Sequence, residues 1–198
     1  MAYDGENYKE EVKQMIGCQR CDLHLSRSNV VTYRGNPRSD VMVIGEAPGK
    51  REDEKGIPMV GLTGSYLVDV LAALSFPLMY YYITNVILCN PPKNGDPTIE
   101  QMNACSKWLN WQIDKVNPKW IIAVGRIAYS RVNPQFDPKI HRITKEAGTI
   151  VTPQHLNGIK VIPILHPSAI LRMRSKKPDY EKKLESIIGT IKEDLELK

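Results

Sequence analysis

Three groups of residues could carry chemistry in this 198-residue chain. The first is the set of four cysteines, Cys18, Cys21, Cys89 and Cys105, spaced as C-x2-C, then 67 residues, then C-x15-C. A C-x2-C pair lets two thiolates reach one metal centre from a tight turn. Structural zinc commonly takes two such short knuckles, and the second pair here is 15 residues apart. Spacing by itself therefore favours an iron–sulfur cluster over zinc by a narrow margin, and four unrelated buried thiols are a third account. A zinc deaminase is a poor match, because no H-x-E precedes a P-C-x-x-C. The second group is the loop Gly45-Glu46-Ala47-Pro48-Gly49-Lys50-Arg51-Glu52-Asp53. Its glycines permit a sharp turn and close approach of a ligand, but it is neither a phosphate-binding P-loop nor a G-x-G-x-x-G fingerprint. It carries carboxylates instead: Glu46, Glu52 and Asp53. The third group is His166-Pro167-Ser168, directly behind the apolar run Val161 to Leu165. A histidine there can donate to a developing negative charge or move a proton. Ile170-Leu171-Arg172-Met173-Arg174 follows, mixing apolar side chains able to wedge into a base stack with cations able to grip phosphates.

The elements that must position these residues alternate in type. A short amphipathic helix covers Asn7 to Ile16. Val41 to Ile44 reads as a buried strand, Gly64 to Leu74 as a helix and Tyr80 to Leu88 as a second strand. Thr98 caps a long helix from Ile99 to Val116. A third strand, Trp120 to Val124, leads to a short helix from Arg126 to Val132. A fourth strand, Lys160 to Leu165, precedes a closing helix from Asp179 to Leu197. Strands alternating with helices imply a parallel sheet covered on both faces, which binds its ligands at the carboxyl ends of the strands. The loops Gly45 to Gly64, Cys89 to Pro97 and His166 to Ser175 all start at such ends, where the unusual residues collect.

Bulk properties narrow the setting. Hydrophobic residues make up 42% and charged residues 25%, ordinary for a globular chain with room for one large domain. No stretch approaches the roughly 20 apolar residues that span a bilayer. The acidic N-terminus is unlike a secretory signal, so a cytoplasmic location is expected, where paired cysteines point to metal or redox chemistry rather than disulfides. The net charge is +5, and the segment from His166 to Lys183 holds a local excess of four positive charges. Such a patch suits either a phosphate backbone or a solvated helix face.

Together the motifs resemble the family 4 uracil-DNA glycosylases, the iron–sulfur branch of that superfamily. The likeness runs from Cys18 to about Arg174. It includes Cys18 and Cys21, the GEAPG loop at Gly45–Gly49, Glu52-Asp53, Gly56-Ile57-Pro58-Met59-Val60-Gly61 and Gly64. It continues through Ile83-Thr84-Asn85-Val86, Cys89-Asn90-Pro91-Pro92, Cys105 and the block from His166 to Arg172. The resemblance implies an α/β fold, a three-layer αβα sandwich around a short four-stranded parallel sheet, with residues 1–198 forming one domain that has an N-terminal cluster-binding segment. It implies a [4Fe–4S] cluster on Cys18, Cys21, Cys89 and Cys105. It also implies excision of uracil flipped out of single- or double-stranded DNA, by a monomer that could meet replication or repair proteins.

Carried over by position, Glu46 and the Ala47 backbone face the scissile bond and its attacking water, and Glu52 lies near the base. Asn85 reads the uracil edge, His166 donates to uracil O2, and Asn94 falls where the family tends to keep an asparagine. Ser168, Ile170, Leu171, Arg172 and Arg174 belong to the segment that enters the duplex. Three positions depart from the pattern. Met59 stands where the family usually stacks an aromatic ring on uracil, and Leu88 and Asn90 stand where Lys and Arg usually flank the third cysteine. A second reading, a glycosylase-fold protein that binds DNA or a repair partner without catalysis, rests on these departures.

Overall fold

The computed structural model describes residues 5–197. Five strands form its sheet: β1 (Arg34–Gly35), β2 (Val41–Gly45), β3 (Tyr82–Asn85), β4 (Trp120–Val124) and β5 (Lys160–Ile164), in the order β1-β3-β2-β4-β5. The last four are parallel and β1 pairs antiparallel with β3. The expectation of four strands is corrected by β1. This two-residue edge strand has no apolar run to announce it, and its pairing is a tertiary event. Gly35 is required there, since a Cβ at its φ of +99° would lie 2.2 Å from the Tyr81 carbonyl oxygen.

Period-two alternation splits each parallel strand between two cores. Met42 and Ile44 of β2, with Ile121 and Ala123 of β4, face α1 (Gly5–Ile16), α4 (Ile99–Val116) and α5 (Gly125–Val132). Val41 and Val43, with Trp120, Ile122 and Val124, face α3 (Leu62–Ala73), α7 (Pro167–Arg172) and α8 (Lys177–Asp194). This is the expected αβα arrangement, with every residue of β2 and β4 buried. Short helices α2 (Lys50–Lys55) and α6 (Ile143–Glu146) complete the set.

Local chemistry sets the main helix boundaries. Thr98 accepts from the Gln101 backbone while Gln101 returns a bond to Thr98, a capping box that starts α4, and Asn117 ends it in the left-handed conformation. The strand expected over Tyr80 to Leu88 is cut to Tyr82–Asn85, because a 3-10 turn occupies Leu78–Tyr80 and the sheet pairing ends at Asn85. The segment expected as a loop after His166 is instead α7. Pro167 pre-sets its first turn, and His166 caps it by accepting from the Ser168 backbone. The N-terminal helix docks through Tyr8, whose hydroxyl lies 2.5 Å from that of buried Tyr82, with Tyr33 stacked on Tyr82 at 5.0 Å. That anchor fixes where Cys18 and Cys21, just beyond α1, must lie. No helix among the described residues is long and apolar enough to cross a membrane.

Candidate active site

The chain leaves β2 for β3 on one side, then returns to place β4 on the other, so a crevice opens where the order reverses. A cleft of about 850 Å³ fills that position. Glu46, Asn85, Arg126 and His166, each at or just past the end of a different strand, line it together. Ala47, Glu52, Met59, Asn94, Ser168 and Arg172 also line it. Residues from four separated parts of the sequence are thus brought to one cavity by the parallel sheet.

Asn85 is 4% exposed and lies in register with Gly45 of the neighbouring strand. Gly45 leaves room for this amide: a Cβ there would stand 2.3 Å from Asn85 Oδ1 and 3.4 Å from Met59 Cε. The amide therefore lies across the bare backbone of β2, and its amide group makes no hydrogen bond to other described residues. It is free to donate and accept toward a ligand in the plane of a base.

Met59 occupies a left-handed turn at φ +54° and is 9% exposed. The Arg34 guanidinium donates to its carbonyl at 3.4 Å, and Gly64 is bare because a Cβ would lie 2.5 Å from Met59 Cα. The thioether forms part of the cleft wall next to Asn85, a polarisable surface where an aromatic ring was the family pattern.

The two carboxylates of the loop do different things. Glu52 is buried, and its Oε1 accepts from the backbone N–H groups of Val60 and Gly61 at 3.0 and 2.6 Å. It ties the Met59 turn, just ahead of α3, to α2. Asp53 points to the other side, where its carboxylate accepts from Ser28 N–H at 2.9 Å and Asn29 N–H at 3.3 Å. Glu46 is engaged otherwise. Burial, first, and then the charge of Asp96 push its carboxyl up to about 7, against a smaller downward pull from Arg126. A carboxyl titrating there is matched to proton transfer near neutrality.

His166 lines the cleft. Ser168 N–H donates to Nδ1 at 3.3 Å, and Ser168 Oγ lies 2.7 Å from the same atom. Nδ1 is therefore the acceptor and the ring proton sits on Nε2. Burial, then the nearby Arg172, hold the ring below the usual histidine range, so it is neutral at pH 7. Gly125, at φ +85°, makes room for it: a Cβ would approach His166 Cβ to 3.2 Å.

The duplex-facing segment divides by exposure. Ile170, expected among the DNA contacts, is 1% exposed and packs in the core beneath α7, where helical periodicity turns it inward. Leu171 is half-buried, and Met173 is 44% exposed. Arg172 lines the cleft, whereas Arg174 lies on the exposed turn beyond it. Asn94, in a left-handed turn at φ +52°, has its Oδ1 occupied by Asn90 Nδ2 at 2.8 Å, and the same Asn90 nitrogen donates to the Pro48 carbonyl at 2.6 Å. Asn90 thus ties two walls of the cleft together, a job the sequence did not reveal. Asp96 and Arg126 were also missed. Gly125-Arg126 opens α5 directly after β4, and no sequence motif marks that strand end.

The four cysteines surround a second, small cavity with Met15, Arg27, Leu88 and Trp108. Cys18 and Cys21 come from the turn after α1, Cys89 from the segment after β3 and Cys105 from α4. All four are free thiols. Trp108 Nε1 donates to Cys18 Sγ at 3.2 Å, and Arg27 Nη1 to Cys89 Sγ at 3.5 Å. Burial pushes the Cys105 thiol up to about 12 and raises that of Cys89. No three His, Cys, Asp or Glu side chains among the described residues close on a point that would hold a single ion. The four thiols line one shared cavity, and N–H donors reach two of the sulfurs.

Comparison with known proteins agrees with this geometry. The family model of the uracil DNA glycosylase superfamily matches residues 32–188. The type-4 uracil-DNA glycosylase of Thermotoga maritima is 40% identical, over 88% of this chain and 89% of its own length. That of Archaeoglobus fulgidus is 34% identical over 92% of each. That of Sulfurisphaera tokodaii is 36% identical over 95% of this chain and 83% of its own. With four strand ends converging on one cleft and relatives aligned over nearly the whole length, the chain belongs to the type-4 branch of the uracil DNA glycosylase superfamily.

Proposed function

We propose that this chain excises uracil from DNA by hydrolysing its N-glycosidic bond, with Glu46 and His166 as the catalytic pair. The observation that carries the reading is the neutral His166, its proton fixed on Nε2, sharing a cleft with the unpartnered Asn85 amide. Cleavage leaves negative charge on uracil O2 and positive character on the sugar. Nε2–H is a preorganised donor for that oxygen, and such a donor contributes on the order of 3 kcal/mol to the transition state. A neutral ring supplies the hydrogen bond without transferring its proton outright. The Glu46 carboxylate, once deprotonated, orients water toward the sugar carbon and offsets the oxocarbenium charge.

Asn85 discriminates by pattern: its Nδ2 donates to uracil O4 and its Oδ1 accepts from N3–H, whereas cytosine presents the reverse at both atoms. Discrimination of this kind leaves a buried polar pair unmatched in the wrong complex. Met59 and the Ala47 backbone close around the base, and Glu52 holds the turn that carries Met59. Asn94, steered by Asn90, faces the ligand through its amide nitrogen. Ser168, Arg172 and Arg174 meet phosphates, and Leu171 takes the wedge position next to buried Ile170.

The four-cysteine cavity fits a [4Fe–4S] cluster: four thiols of one cavity and two N–H donors to sulfur support it. Cys18, Cys21, Cys89 and Cys105 would hold it, and its contribution is structural, clasping the N-terminal segment to α4. Incubation of the purified protein with uracil-containing oligonucleotides, followed by alkaline cleavage of abasic sites, tests the activity. Product from single-stranded or U:G duplex substrate is expected. Its absence from both, with DNA binding retained, would establish the non-catalytic reading instead.

A further inference from the structure

We propose that Asp96 and Arg126 are positioning residues that act through Glu46: an ion pair on the cleft wall that steers the Glu46 carboxyl with one charge of each sign. The inference rests on the assignment of Glu46 as the water-orienting group. Its basis is a three-residue cluster assembled from separate parts of the fold. Glu46 follows β2, and Arg126 opens α5 directly after β4; the two strands are neighbours, with Ile44 opposite Ala123. Asp96 lies in the turn ahead of Pro97, between β3 and α4. The Arg126 guanidinium pairs with the Asp96 carboxylate. All three line the same cleft.

Two carboxyl groups that line one cleft raise each other's cost of ionisation, because like charges repel. The third member decides the balance. Arg126 is the ion-pair partner of Asp96, while burial favours the protonated form of Glu46. At the same time the Arg126 charge moderates how tightly Glu46 keeps its proton. After burial, Asp96 and Arg126 are the charges that weigh most on Glu46. The remaining charged groups around the cleft, Lys50, Arg51 and Glu52 from α2 and Arg172 and Lys176 beyond β5, line it elsewhere, and His166 is neutral. Neither Asp96 nor Arg126 needs to touch the reacting atoms. Arg126 is 46% exposed and Asp96 62% exposed, so solvent and salt weaken their influence, and the effect is larger at low ionic strength.

The test is a ¹³C NMR titration of the Glu46 side-chain carboxyl in cluster-loaded protein, assigned with Glu46→Gln, alongside kcat/KM for uracil excision against pH. The wild-type midpoint is expected at about 7. Asp96→Asn should lower it and Arg126→Gln raise it, each by about one pH unit. The acidic limb of kcat/KM should follow both displacements. Arg126→Lys keeps the charge and should restore a midpoint close to wild type, which also covers the event that Arg126→Gln fails to fold. Midpoints that stay fixed, or that move the same way in both variants, would overturn the proposal. A wild type with no excision activity would instead defeat the glycosylase reading of Glu46, while opposed midpoints would still uphold the coupling within the cluster.

Discussion

Replacing Gly45 by alanine tests the geometry of base recognition with a single methyl group. The added Cβ would stand 2.3 Å from Asn85 Oδ1, where ordinary contact begins at about 3.4 Å. The amide must therefore retreat by about 1 Å or rotate out of the base plane. The β2 backbone has no freedom to yield, since Gly45 is the last residue of a strand hydrogen-bonded on both sides and Ile44 and Val43 are fully buried. A displacement of about 1 Å in a substrate-positioning group costs on the order of 100-fold in rate. Overpacking of this kind typically removes about 1–3 kcal/mol of stability, which leaves the fold intact for assay. Single-turnover excision on a U:G duplex, with a thermal melt of the same preparation, separates the two effects. A variant that folds and excises uracil within about threefold of wild type would refute the placement of Asn85 as the group that reads the base.

Three further outcomes are expected. His166→Ala should lower single-turnover excision by about 10²–10³-fold while affinity for an abasic-site duplex, measured by fluorescence anisotropy, stays within a few-fold; loss of binding in parallel would show that His166 serves the duplex rather than the leaving group. Cys105→Ser should abolish the visible absorbance of a bound cluster and reduce iron content, and an unchanged spectrum would remove Cys105 from the ligand set. Asp53→Ala leaves the Ser28 and Asn29 N–H groups without their acceptor, at a cost of about 2–3 kcal/mol; the melting temperature should fall and chelator-driven iron loss should quicken, because residues 28–29 follow the turn that carries Cys18 and Cys21.

The family, the alternation of strands and helices, and the four cysteines were all legible in the chain. Each is a property of local pattern or of motif order. Hydrophobic runs at Val41, Trp120 and Lys160 mark strands because a buried parallel strand cannot be built from much else. The GEAPG loop and the HPS block are recognisable because a strand end facing a ligand tolerates few side chains. What depends on distance in space was not legible. The edge strand at Arg34–Gly35 exists only because Tyr82 and Ile83 lie beside it. Ile170 sits in a motif of exposed cations, yet the helix that starts at Pro167 turns it into the core. Asp96 and Arg126 are 30 residues apart with no motif between them, and only the placement of β2 between β3 and β4 brings them to the cleft that holds Glu46. The sequence alone determined which residue types this site contains; the tertiary structure decided which of them meet, since the charge, burial and tautomer of Glu46 and His166 are set by neighbours that the chain order keeps apart.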